Sequence, residues 1–132
     1  SINDHGRSYF KADDCDKDAL NEPVALVLKW SRLNNIEIIY LSGREDKYRK
    51  PTEKFLLIHD LTYNYDTEDI DYPLFMRKTG DKRADDIIKW EIYQKHIEPN
   101  YDIQFILDDR QQVVDMWRSK GLTCFQVADG KF

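Results

Sequence analysis

Apolar β-branched runs alternating with amphipathic stretches predict an α/β fold, with helices on both faces of a mostly parallel sheet. Three observations carry this. Residues 36–41 and 103–107 are short, nearly continuous apolar runs, as buried strands are. Helically spaced apolar residues precede and follow each run. Each run also leaves the sheet in a polar string, Leu41-Ser42-Gly43-Arg44 or Ile106-Leu107-Asp108-Asp109-Arg110. That edge of an open α/β sheet is where ligands bind.

The elements follow in order. Residues 1–18 are polar and read as a loop. Asp14, Asp16 and Asp18 have the spacing of a calcium loop, but Ala19 and Ala25 stand where that loop needs glycine and glutamate. Asp18 or Asn21 is expected to cap a helix over 22–34, with Pro23 in its first turn and Val24, Leu28 and Ser31 on one face. Asn34-Asn35 ends it, and the 36–41 strand leads into Ser42-Gly43-Arg44. Pro51 opens a helix through Phe55, Leu56, Ile58 and Leu61. Residues 63–72 are acidic, tyrosine-rich and read as a loop or small insertion, and 73–76 as a short strand. A helix over 82–97, a strand over 103–107, a helix over 111–120 closed by Gly121, and a strand over 122–127 complete the chain.

The 132 residues suffice for one domain, 1–132, with its own core. At 41% hydrophobic and 34% charged the composition is that of a folded, non-membrane domain. No apolar run is long enough to span a bilayer, and nothing resembles a signal peptide. The net charge of −5 argues against broad binding along a duplex, but leaves room for an enzyme that grips one strand terminus. Basic residues cluster at Arg44, Lys47, Arg49 and Lys50 and at Arg77, Lys78, Lys82 and Arg83, a pattern that usually marks solvated surface. Cys15 and Cys124 form no C-x-x-C pair, and Cys124 is expected buried in a strand. Neither phosphate-binding glycine motif, G-x-x-x-x-G-K-[ST] or G-x-G-x-x-G, is present.

Two strings carry the candidate chemistry. In Ser42-Gly43-Arg44, a hydroxyl, backbone N–H groups and a guanidinium suit a phosphate. The plainer reading is a turn with a surface arginine. Asp108-Asp109 sets two carboxylates side by side, which Mg²⁺ would relieve; alternatively, Asp109 caps the next helix. Asp85 and Lys89 share a helix face at i,i+4, either as a surface ion pair or as a lysine pointed into the site with Asp85 orienting it. Asp69-Ile70-Asp71 lacks a preceding apolar strand and reads as solvated loop, and His5, His59 and His96 join no triad.

These pieces, in this order, resemble the haloacid dehalogenase (HAD) superfamily of phosphohydrolases, and within it the 3′-phosphatase domains of phage polynucleotide 5′-kinase/3′-phosphatases. Similar strings include Gly6-Arg7, Cys15-Asp16-Lys17-Asp18, Ser42-Gly43-Arg44-Glu45, the 80–89 segment with Asp85 and Lys89, Asp108-Asp109-Arg110-Gln111-Gln112, and the Gln126–Phe132 tail. The resemblance implies an HAD-like (Rossmannoid) three-layer sandwich. It also implies Mg²⁺-dependent removal of 3′-phosphates from DNA or RNA ends through an aspartyl-phosphate, in the cytoplasm of a phage-infected host. By this likeness Arg7, Ser42, Gly43 and Arg44 hold phosphate, Lys89 and Asp85 join Arg44 in the catalytic group, and Asp108 and Asp109 serve the metal.

One departure stands out. The family's D-x-D-G-T motif, at the end of a central strand, supplies the attacking aspartate and the general acid/base; it is absent here. It is expected upstream of Ser1, on a strand between those ending at Leu41 and Leu107. The chain is therefore expected to be a fragment or processed product, inactive and poorly stable until that strand comes from the same or another polypeptide. The competing function is a non-catalytic domain that binds phosphate or nucleic-acid ends, having lost the nucleophile. A receiver domain, whose acids come at its first strand, fits the order poorly. A homo-oligomer is compatible with either function.

Overall fold

The computed structural model describes residues 22–58, 63–64, 69–70 and 73–130. The elements are α1 (Glu22–Leu33), β1 (Tyr40–Glu45), α2 (Arg49–Ile58), β2 (Tyr63–Asn64), β3 (Asp69–Ile70), β4 (Leu74–Arg77), α3 (Asp85–Ile92), β5 (Ile106–Asp108), α4 (Gln111–Ser119) and β6 (Cys124–Gln126). A 3-10 turn, Asp46–Tyr48, leads into α2, and a π turn, Tyr93–Ile97, extends α3. The expected cap of α1 at Asp18 or Asn21, Arg7 and Cys15 lie outside the described residues.

β1 pairs in parallel with β4, β5 in parallel with β6, and β2 antiparallel with β3. Among the described residues no ladder joins β1 to β5. Side-chain alternation nonetheless places both in one layer. Ile38 and Tyr40 from the β1 side, with Leu107 of β5, pack against Val24, Leu28, Phe55 and Leu56 of α1 and α2. Ile39, Leu41 and Ile106 point the other way, into Tyr93, Ile97, Val113, Val114 and Trp117 of the α3 extension and α4. Successive strand residues face opposite sides, so these two clusters define helix–sheet–helix layering.

Several boundaries differ from the sequence expectation, each for a physical reason. The first strand begins at Tyr40 rather than residue 36, because its ladder starts where Tyr40 meets Leu74. Ile38 and Ile39 are buried by packing alone. Ser42-Gly43-Arg44 lies inside β1 rather than in the turn beyond it. The third helix begins at Asp85, not 82, because Arg77 holds the preceding loop: it donates to the carbonyls of Asp81 and Arg83. The 63–72 segment contains the β2–β3 pair rather than loop alone. The last two strands run over Ile106–Asp108 and Cys124–Gln126 rather than 103–107 and 122–127, because their shared ladder spans only those residues, and Leu61 lies outside the described residues. Val24, Leu28 and Ser31 form the buried face of α1. Asn35 and Gly121 close α1 and α4 with φ of 60° and 81°, the left-handed conformation of a helix stop. Cys124 is buried, and burial pushes its thiol up to about 11.

Candidate phosphatase site

Four segments converge at the carboxyl ends of β1, β4 and β5. Ser42 and Arg44 on β1 are both buried, and the Arg44 backbone N–H donates to the Ser42 hydroxyl at 3.2 Å. Gly43 between them faces α3. A Cβ built there would overlap the Asp85 carboxylate, so only glycine permits this approach.

Asp85 and Lys89 stand one turn apart at the start of α3, 4% and 0% exposed. The surface-pair reading therefore fails. Lys89 Nζ lies 3.7 Å from Asp85 Oδ2 and 3.3 Å from Asp108 Oδ2, bridging α3 to the end of β5. Asp85 also meets Arg77 Nη2 at 3.2 Å and Arg110 Nη1 at 3.4 Å. Burial alone would raise the Asp85 pKa, but the cations of Lys89, Arg110 and Arg77 outweigh it and hold the carboxyl below its usual range. One carboxylate thus organises three basic side chains from α3, β4 and the β5–α4 turn.

The two adjacent aspartates are not equivalent. Asp108 Oδ2 accepts from Lys89 and, at 3.4 Å, from the Trp117 indole, and Oδ1 accepts from the Asp109 N–H at 2.9 Å. Asp109 is 1% exposed, yet among the described residues neither of its carboxylate oxygens has a hydrogen-bond partner. Burial, then the charge of Asp108, raise its pKa against smaller opposing pulls from Lys89 and nearby backbone. The capping reading of Asp109 also fails: Arg110 is the residue preceding α4, and no side chain caps that helix.

A buried, unpartnered carboxylate beside a second one is a costly arrangement, and an oxygen-seeking cation offsets that cost. Mg²⁺ takes one or two carboxylates and completes its shell with water and phosphate oxygens, so this pair fits it without a third protein ligand. Among the described residues no group of three His, Cys, Asp or Glu side chains converges into a fuller cage.

Arg77 and Trp117 escaped the sequence reading as parts of the site. Arg77 was legible only as one of a basic cluster. Yet it ends the apolar run 74–76 just as Arg44 ends that of β1, and it donates to the Gly43 carbonyl at 2.8 Å. Arg7 and Asp71 lie outside the described residues. A cavity of about 380 Å³ opens at the opposite sheet edge, lined by Ile36, Glu37 and Ile39 before β1 and by Tyr101, Gln104 and Phe105 before β5.

The polynucleotide kinase PNKP phosphatase domain family matches residues 2–132. The chain belongs to that family. Its fold is similar to a chain in the structure of the Pnkp1/Rnl/Hen1 RNA repair complex, with a TM-score of 0.83 and 46% identity over 100% of this chain and 40% of that one. A second Pnkp1/Rnl/Hen1 complex gives a TM-score of 0.83 and 47% identity, over 96% of this chain and 41% of the other. A putative bifunctional polynucleotide kinase/RNA ligase of Autographa californica nuclear polyhedrosis virus is 25% identical over 114 residues, 85% of this chain and 15% of the viral protein. The chain thus spans less than half the length of each of these relatives. The HAD-like fold follows from the match to Pnkp1, and membership of a phosphatase-domain family from the family match. Among the described residues no helix is long and apolar enough to cross a membrane.

Proposed function

We propose that this chain is the body of a Mg²⁺-dependent phosphatase that removes 3′-phosphates from DNA or RNA ends. The observation that carries the reading is the buried Asp109 carboxylate, without a hydrogen-bond partner among the described residues, beside the Asp108–Lys89–Asp85 chain. Ser42, the N–H groups after it and Arg44 receive the terminal phosphate, with Arg7 as a further phosphate ligand. Asp85 and Asp108 hold Lys89 from either side, so its ammonium is fixed rather than free to swing. Asp108 and Asp109 would hold Mg²⁺, which would supply charge neutralisation. The attacking carboxylate comes from an aspartate preceding Ser1, on a strand lying between β1 and β5. It forms a bond to phosphorus as the 3′-oxygen leaves with a proton from the second aspartate of the same motif, which then takes a proton from the water that hydrolyses the aspartyl-phosphate. The relatives' names, polynucleotide kinase, RNA ligase and RNA repair complex, support nucleic-acid ends as substrate and repair proteins as partners.

The test is phosphate release from a 3′-phosphorylated oligonucleotide by a polypeptide extended N-terminally through the expected D-x-D-G-T strand. Activity that needs Mg²⁺ and disappears in Asp109→Asn, with the circular dichroism spectrum retained, is the expected result. A folded, extended polypeptide with no activity overturns the assignment in favour of a binding module.

A further inference from the structure

Charge is distributed unevenly in this molecule. The fourteen residues 44–50 and 77–83 contain eight basic and three acidic side chains, in a chain whose net charge is −5. Sequence alone makes these two solvated loops. The structure staples them together. The Lys47 N–H donates to the Thr79 hydroxyl at 2.9 Å, the Gly80 N–H to Glu45 at 2.9 Å, and the Lys82 ammonium to the other Glu45 oxygen at 2.8 Å. Those contacts hold the Glu45 carboxyl down at about 2, so the staple stays ionised through neutral pH. Asp46 engages Arg49, and Asp81 engages Arg83. The acidic residues of these loops are thus all used internally, while Lys50 and Lys78 are exposed and make no ion pair among the described residues.

The ledge starts at the phosphate site. Arg77 joins it to Gly43 through the 2.8 Å bond to the Gly43 carbonyl, and Arg44 is its first residue. We infer that this stapled basic ledge carries the single strand leading to the phosphorylated end, reading its backbone phosphates rather than its bases. This rests on the phosphatase reading above for what sits in the pocket, but the ledge itself binds nucleic acid whether or not turnover occurs. A pre-formed ledge pays little ordering cost on binding, and phosphate contacts impose a salt-dependent, sequence-tolerant affinity.

The experiment replaces Lys50 and Lys78 by glutamine in the N-terminally extended polypeptide, leaving the contacts of Lys47 and Lys82 with Glu45 intact. A control, Lys29→Gln with Lys120→Gln, makes the same change in net charge on α1 and at the far end of α4. Two readouts are followed as salt rises: fluorescence anisotropy of a labelled single-stranded oligonucleotide, and kcat/KM on a 3′-phosphorylated oligonucleotide against a 3′-mononucleotide. Loss of two phosphate contacts should flatten the log–log salt slope of binding by about 1.4 and weaken binding roughly tenfold at low salt. The mononucleotide kcat/KM should fall far less than the oligonucleotide value, and the control pair should change neither. Equal losses on both substrates, an unchanged salt slope, or the same effect from the control pair overturns the ledge. No turnover of either substrate, with binding still weakened by the ledge variant, overturns the phosphatase reading and retains the ledge.

Discussion

Asp109 is the residue on which folding and chemistry pull in opposite directions. Its carboxylate is buried beside Asp108 and accepts no hydrogen bond from the described residues. Such a group costs about 1–3 kcal/mol when left unsatisfied. Asp109→Asn removes the charge at constant shape, so without Mg²⁺ the variant should melt at a higher temperature than the parent. Adding Mg²⁺ should raise the melting temperature of the parent and leave that of the variant unchanged. A variant less stable than the metal-free parent would show that Asp109 has a structural partner instead. Lys89 is the contrasting case. Lys89→Met strips both Asp85 and Asp108 of their shared cation, a loss of about 3–5 kcal/mol for a buried pair broken on one side. Thermal denaturation of that variant should show the loss with or without metal.

At the level of elements, the site depends on how closely β1 approaches α3. Gly43 allows the Asp85 carboxylate to lie against the strand, and Arg77 at the end of β4 binds both partners. Gly43→Ala drives a methyl group into that carboxylate. The backbone on one side and the Arg77, Arg110 and Lys89 contacts on the other leave Asp85 little room to yield. Overpacking of this kind costs about 1–3 kcal/mol. The variant should therefore show a lowered denaturation midpoint together with a kcat loss greater than any change in KM, since the displaced group orients Lys89. An unaltered kcat would mean that the approach of β1 to α3 is not needed for turnover.

Across the whole molecule, the two hydrophobic clusters bind β1 and β5 into one layer without a ladder between them among the described residues. The cavity at the entry ends of those strands lies on the same line, between the segments before β1 and before β5. A strand inserted there would add backbone pairing to a layer that side chains alone now hold. The N-terminally extended polypeptide should accordingly unfold at higher denaturant concentration than the 132-residue chain, and with a larger m-value because it buries more surface. Equal midpoints and equal m-values would show that no strand is added.

The strand–helix alternation, the buried face of α1, the helix stops at Asn35 and Gly121, and the two polar strings at strand ends were all legible in the sequence. Each rests on local periodicity or on the backbone preference of one residue, which a linear chain displays directly. Family membership was legible too, through the strings around Ser42, Asp85 and Asp108. Three things were decided only by folding. One is that Asp85 and Lys89 are buried rather than a surface pair. Another is that Asp108 is fully engaged while its neighbour Asp109 is not. The third is that two basic loops 32 residues apart, at Lys47 and Thr79, form one ledge. Each of these depends on which groups a long-range packing brings within about 4 Å, and neither spacing nor composition encodes that distance.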